Sequence, residues 1–258
     1  MRKTLAKLFD KSRILHAVET HEIKDEKERE RIKRAQTSWR SLYRSGGAAP
    51  CHYTRYTRTA ESIGDTRGLP FLKDALLEAL CEARKKDIIM LTNDDIILHP
   101  LLPATLMRQI RLYDACSSHR CEFHYAPMPS LECSPDVFAC RAEWHMGRDL
   151  FAFSKPWLED NWDDIPDFIL GASDWDLCLA AMIRHKKGFD TTKNNYLEII
   201  PCCELPLGYV IHEWHQSRWS LPDNVNSAPS QIHNRRLFRQ WCHKRMLNLE
   251  FSDESTIK

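Results

Sequence analysis

Along the chain, unbroken apolar runs alternate with segments whose apolar residues recur every three or four positions. Ile14-Leu15-His16-Ala17-Val18 is a short, nearly continuous run closed by the polar Glu19-Thr20-His21-Glu22, the pattern of a strand buried on both faces. From Asp25 to Tyr43 the period becomes helical, with Ile32, Ala35, Trp39 and Leu42 forming one stripe on a charged background. The stretch Ser45 to Pro50 ends that helix. His52 to Tyr56 alternates like a second strand and leads into a loop through Gly64-Asp65-Thr66-Arg67-Gly68. Pro70 then opens a second helix carried by Leu72, Leu76, Ala79, Leu80 and Ala83. Arg84-Lys85-Lys86 closes it with cations suited to its C-terminal dipole. Asp87-Ile88-Ile89-Met90-Leu91 reads as a third, fully buried strand.

Strand, helix, strand, helix, strand in this order predicts an α/β domain with right-handed crossovers. In such sheets ligands bind beyond the carboxyl ends of the strands, which directs attention to Thr92-Asn93-Asp94-Asp95. The second half has another texture. Phe123 to Phe138 is proline-rich and irregular, Leu150 to Phe153 reads as a strand, and a helix is predicted from Asp174 to His185. Leu197 to Pro201 and Tyr209 to Ile211 are short strands, and Leu237 to Leu247 forms a basic amphipathic helix.

Composition narrows the class without choosing a chemistry. Hydrophobic residues make up 43% and charged residues 28% of the 258, ordinary values for a globular enzyme. A formal net charge of +1 gives no global field to attract nucleic acid or anionic membranes. The basic start Met1 to Lys7 is not followed by the apolar run of a signal peptide, and no stretch has the length of a membrane span. A cytoplasmic location is therefore expected, and with it reduced thiols for the ten cysteines. Cys116, His119, Cys121 and His124, with Cys133 and Cys140 downstream, have irregular spacings rather than the paired short spacings of a structural zinc site. Free thiols are expected there, and core packing for Cys202-Cys203.

Two adjacent carboxylates at the tip of a buried strand need a compensating charge. A divalent cation supplies it, and hard oxygen ligands select Mg²⁺ or Mn²⁺. Such an ion also neutralises a diphosphate leaving group. Asp87-Ile88-Ile89-Met90-Leu91-Thr92-Asn93-Asp94-Asp95-Ile96 resembles the DxD strand and turn of GT-A glycosyltransferases, with Asn93 departing from the family at the first acidic position. Phe168 to Asp176 resembles the segment of those enzymes in which a glycine turn precedes an acidic residue opening a helix, and Ile211-His212-Glu213-Trp214-His215 resembles their late metal-ligating segment. The three features stand in the family's order. The resemblance runs from Ile14 to Trp219, and the chain beyond has no counterpart in it.

The resemblance implies a GT-A, Rossmann-like, mixed but mostly parallel central sheet flanked by helices. It implies one domain over residues 1–220, with a nucleotide-binding half at about 13–100 and an acceptor-side half at about 101–220, and a helical tail at 221–258. It implies Asp95 as metal ligand with His212 or His215, and Mn²⁺ or Mg²⁺ as the ion. Asn93 and Asp94, with Glu19, Thr20 and Arg67, would meet the donor, a UDP-sugar by default. Asp174 or Asp176 would be the base acting on an acceptor hydroxyl, and Trp157, Trp162 and Trp175 would present apolar faces to the acceptor. The acceptor is left open among glycan, protein, small molecule and modified nucleic acid.

Each feature has a plainer account. Asn93-Asp94 makes an ordinary polar turn, Ser173 or Asp174 an N-cap, and tryptophans are more often core. Three other functions compete. A nucleotidyltransferase would carry a glycine-rich loop after the first strand, and Glu19 to Lys27 contains no glycine. A non-catalytic nucleotide-sugar-binding protein would explain Asn93. A zinc-organised nucleic-acid module fits least with the near-zero charge.

Overall fold

Strands buried on both faces must be covered by two helical layers, and the burial along β1 (Ile14–Glu19) and β3 (Ile88–Asn93) has this form. Leu15, Ala17, Ile89 and Leu91 face one core, whereas Ile14, Val18, Ile88 and Met90 face the other. The computed structural model describes residues 12–19, 25–44, 51–53, 58–66, 68–123, 143–186, 204–205, 207–213 and 228–244. The remaining strands are β2 (Cys51–Tyr53), β4 (Ile96–Leu98), β5 (Ala115–Phe123), β6 (Glu143–Ser154) and β7 (Val210–Glu213). Together they form a mixed seven-stranded sheet of order β2-β1-β3-β6-β5-β7-β4. β6 is antiparallel to both its neighbours and β4 to β7, while β1, β2, β3, β5 and β7 share one direction.

One layer holds α1 (Glu26–Arg44) and α3 (Leu102–Tyr113), whose Ala35, Trp39, Leu102, Leu106 and Ile110 meet the sheet. Asp25 caps α1 by accepting from the amide of Glu28 at 2.8 Å. This helix also satisfies the short edge strand β4. Trp39 Nε1 donates to the carbonyl of Ile96 at 2.8 Å, and Leu98 N donates to Ser38 Oγ at 3.0 Å.

The other layer holds α2 (Leu72–Glu82), α4 (Lys155–Asn161), α5 (Trp175–Lys186) and α6 (Pro229–Lys244). The cations expected at the end of α2 lie beyond it. Lys155 instead reaches back from α4 and donates to the carbonyls of Ala83 at 2.7 Å and Leu80 at 3.3 Å. Phe238, Trp241 and Cys242 of α6 belong to the same core cluster as Phe151 and Leu179, so this part of the expected tail is packed into the domain.

β4, α3 and β5 have no counterpart among the elements expected from the sequence, and β6 begins well before Leu150. β5 carries Cys116, His119 and Cys121 as buried sheet residues, and burial raises the Cys121 thiol, opposed by a backbone hydrogen bond from Gly208. His124, Cys133, Cys140, Cys202, Cys203 and the strand expected at Leu197 to Pro201 lie outside the described residues. Among the described residues, no helix is long and apolar enough to cross a membrane.

Two fully enclosed guanidiniums lock β6 to α5. Glu204 Oε1 accepts from Arg148 Nη2 at 2.9 Å and from Arg184 Nη2 at 2.6 Å. His119 Nε2 stands 3.0 Å from Arg148 Nη2 and 3.4 Å from Glu204 Oε2. Desolvation pushes the Glu204 carboxyl upward, but bonds from His119 and Arg148 outweigh it and hold the pKa at about 2. Removing one partner of a buried ion pair leaves the others unpaired. Glu204→Gln is expected to cost about 3–5 kcal/mol of unfolding free energy in urea. Because the folded-state pKa is depressed, this contribution is present above the ordinary carboxylate range of about 4.3 and is lost as pH falls toward the folded value. A Glu204→Gln variant as stable as the parent at pH 7 would show that the pairing contributes nothing net.

Candidate functional site

The carboxyl end of β3 carries Asn93, and the chain turns through Asp94 and Asp95 before entering β4. Beneath the turn, His16 and Thr92 share a hydrogen bond at 2.7 Å, and burial holds His16 neutral by lowering its pKa to about 3. Asp94 is buried, whereas Asp95 keeps some exposure. β4 pairs with β7 so that Ile96 stands opposite His212. That register brings His212 Nε2 to 3.3 Å from Asp95 Oδ2, across more than a hundred residues of chain. Burial disfavours the His212 cation, but the charge and hydrogen bond of Asp95, helped by Asp149, prevail and raise its pKa.

β5 lies on the other side of β7, with Glu122 opposite His212. Arg120 bridges from this strand to β6. Its Nη2 donates to Glu122 Oε1 at 2.7 Å and its Nη1 to Asp149 Oδ2 at 2.8 Å. Asn93 Nδ2 donates to the second oxygen of Asp149 at 3.2 Å. The turn of β3 and the two strands beyond it therefore share one polar network.

Asp149 reaches this network because β6 is irregular here. Ser118 pairs with Leu150, His119 with Arg148 and Arg120 with His145, so the register shifts on either side of His119. Bulges of this kind re-aim side chains at functional sites. Gly147 lies in the second irregularity, where a Cβ would stand 2.9 Å from His145 Nδ1. The Gly147 amide donates to that nitrogen at 2.9 Å, so Nδ1 is an acceptor and the ring's proton belongs on Nε2. Burial and then the nearby Arg120 lower the His145 pKa, which agrees with a neutral ring.

A pocket of about 380 Å³ opens beside these residues, lined by Asn93, Arg120, His145, Asp149, Asp176 and Gln231 among others. Asp176 enters it from the first turn of α5. Arg148 N lies 3.4 Å from its carboxylate, and burial followed by the charge of Asp149 raises its pKa. Asp174, two residues earlier, adopts a left-handed φ of 73° and turns toward Arg235 of α6 at 3.7 Å. Of the two carboxylates expected to act as base, the structure brings Asp176 into the pocket and directs Asp174 away from it.

The other expected site residues distribute as follows. Trp175 lines the pocket but is buried against Phe151 with ring centroids 5.4 Å apart. Trp157 is a core residue stacked on Phe153 at 5.0 Å, and Trp162 packs at the rim of the same core under Lys73. Glu19 is in register with Asn93 across the β1–β3 pair. Thr20, Arg67 and His215 lie outside the described residues, as does the side chain of Glu19. Arg120, Glu122, His145, Asp149 and Gln231 had not been expected. For Asp149 a signal existed: it immediately precedes the apolar run Leu150 to Phe153, and in an antiparallel strand that position falls at the same sheet edge as Asn93.

Among the described residues, no three His, Cys, Asp or Glu side chains are grouped to cage a metal ion. Asp95 and His212, 3.3 Å apart, could supply two ligands to such an ion. Two protein ligands suit an ion that completes its shell with phosphate oxygens and water, as Mg²⁺ and Mn²⁺ do on nucleotides. Only through such a cation could the anionic Asp95 approach a phosphate group, whereas Asp176 lines the neighbouring pocket directly.

Arg120 is the cation on which Glu122 and Asp149 depend, and its side chain is 20% exposed. Arg120→Met is expected to destabilise the ligand-free protein by about 2–4 kcal/mol, with Asp149→Asn in the same chain recovering part of the loss. Urea unfolding of the single and double variants measures both effects. Additive losses would mean that the two residues are not coupled.

The chain matches no protein-family model and shows no detectable similarity to any curated protein, so its functional reading rests on this geometry.

Proposed function

We propose that this protein is a metal-dependent glycosyltransferase of the GT-A type, transferring a sugar from a nucleotide-sugar to an acceptor hydroxyl. The observation that carries the reading is the meeting of Asp95 and His212 at 3.3 Å, next to a pocket into which Asp176 projects. Three segments far apart in the chain thereby supply a metal-binding pair, a donor-side wall and a carboxylate on one sheet edge. The seven-stranded mixed sheet, with its acidic turn at the carboxyl end of β3, is consistent with that class.

Asp95 and His212 would hold Mn²⁺ or Mg²⁺, and the imidazole favours Mn²⁺ of the two. When bound, the ion neutralises the charge that builds on the departing diphosphate. The chain's own residues do the remainder. Asn93 and Arg120 hold Asp149 in place along the pocket wall. Asp176 is poised to accept the acceptor's proton, since burial and the neighbouring Asp149 give it more proton affinity than an ordinary carboxylate. UDP remains the default nucleotide on the strength of the resemblance alone.

Two variants divide the roles. Asp95→Ala is expected to abolish the rise in melting temperature that Mn²⁺ and UDP give together, because a ligand stabilises only the state that binds it. Asp176→Asn should keep that rise and lower turnover by a factor of about 10² or more. Metal-dependent hydrolysis of a panel of UDP-sugars supplies the rate. A parental rate in Asp95→Ala would remove the metal site from this turn, and no stabilisation by any nucleoside diphosphate with Mn²⁺ would remove the donor.

A further inference from the structure

The first turns of α6 carry Ser230, Gln231 and Asn234, all buried and all polar. None of the three is spent on the helix's own packing. Asn234 reads the backbone of the segment leading into α5 as a neighbouring strand would: Ile169 N donates to its Oδ1 at 2.8 Å, and its Nδ2 donates to the carbonyls of Ile169 at 2.8 Å and Ser173 at 2.9 Å. Ser230 Oγ donates to Asp65 at 2.6 Å. These bonds fix the helix against the pocket wall.

Gln231 lies one turn before Asn234 on the same face and lines the pocket. Ser173 N donates to its Oε1 at 2.7 Å. An amide N–H can only be met by an oxygen, so this bond sets the orientation of the carboxamide. Its –NH₂ has no partner among the described residues, and Gln231 retains 6% of its surface. The group is a positioned donor at the pocket wall.

Charge on the wall points to the kind of group it meets. Arg120 is engaged by Asp149 and Glu122, and the Arg148 guanidinium turns to Glu204 and His119. Among the described lining residues, both guanidinium charges are matched by carboxylates, although Arg120 Nε and Arg148 Nε and Nη1 make no hydrogen bond, and the remaining capacity is that of amide, imidazole and carboxyl groups. An anionic ligand would face Asp149 and Asp176 on a wall whose two guanidiniums are already paired with carboxylates. A neutral ring bearing hydroxyls would find both donors and acceptors.

We infer that Gln231, presented by the C-terminal helix, is a specificity-determining residue whose –NH₂ binds a hydroxyl of a neutral saccharide in this pocket. The inference rests on the glycosyltransferase reading for the pocket being the acceptor side.

Gln231→Glu is the informative variant, since a carboxylate oxygen can still accept from Ser173 N while the donor becomes an acceptor. The probes are glucose, galactose, mannose and N-acetylglucosamine, with glucuronate and glucose 1-phosphate as anionic counterparts, each titrated with Mn²⁺ and UDP present. In the parent, at least one neutral sugar should shift the Gln231 side-chain amide resonances, and the anionic probes should not. In Gln231→Glu, with a melting temperature close to the parent's, affinity for that sugar should fall by about tenfold. Unchanged affinity, anionic probes binding in preference to neutral ones, or no perturbation of the Gln231 amide by any sugar overturns the inference. Stabilisation by Mn²⁺ and UDP is read in the same samples. If it persists while the sugars ignore Gln231, this inference alone fails, whereas its absence alongside Gln231-dependent sugar binding removes the transferase reading instead.

Discussion

One guanidinium holds the polar edge of this sheet together. Arg120 donates to Glu122 on its own strand and to Asp149 on the next, and Asp149 in turn accepts from Asn93 at the tip of β3. Carboxylates gathered this closely repel one another unless a cation sits between them. Arg120 provides that cation for two of them, and Asp95 lies beside His212, whose proton affinity it raises. Asp176 is paired with neither; burial first and then the charge of Asp149 raise its pKa, against the opposing pull of Arg148.

The framework beneath this edge is organised to keep it still. β3 and β1 are clamped from both faces by apolar layers, while Trp39 and Ser38 tie the edge strand β4 to α1. The Arg148–Glu204–Arg184 cluster fixes the strand from which Asp149 emerges. α6 fixes the segment from which Asp176 emerges, through Asn234 and Gln231. Rigid support of this kind is what a site needs if its groups are to meet a ligand without rearrangement.

How much of this was legible in the sequence depended on whether burial left a periodic trace. β1, α1, α2 and β3 declare themselves by continuous or helical apolar patterns, and the acidic turn follows from where β3 ends. His212 was legible as one of two histidines after a late strand. β5 was not, because Ser117, Ser118, His119, Arg120 and Glu122 break its apolar pattern, and all of them but Arg120 are buried polar residues. With β5 unseen, Arg120 and Glu122 had no place in the expected site. Asp149 stands at the start of a legible apolar run, but its reach to Arg120 depends on a register shift in β6 that no local pattern announces. The role of α6 was hidden for another reason: side chains bonding to a distant backbone leave no signature in the spacing of apolar residues. Trp157 and Trp162 illustrate the converse, since large aromatics near acidic residues proved to be packing elements of the core.

The proposed function requires Asp95 and His212 together to hold a divalent cation carrying a nucleoside diphosphate. Pulsed electron paramagnetic resonance of Mn²⁺ bound with UDP tests it directly, because the ion's spin reports the nuclei coordinated to it. Phosphorus couplings from the diphosphate are expected together with a nitrogen coupling from one imidazole, and the nitrogen coupling is expected to be lost in His212→Gln. Phosphorus couplings with no imidazole nitrogen, or a nitrogen coupling that survives in His212→Gln, would contradict it.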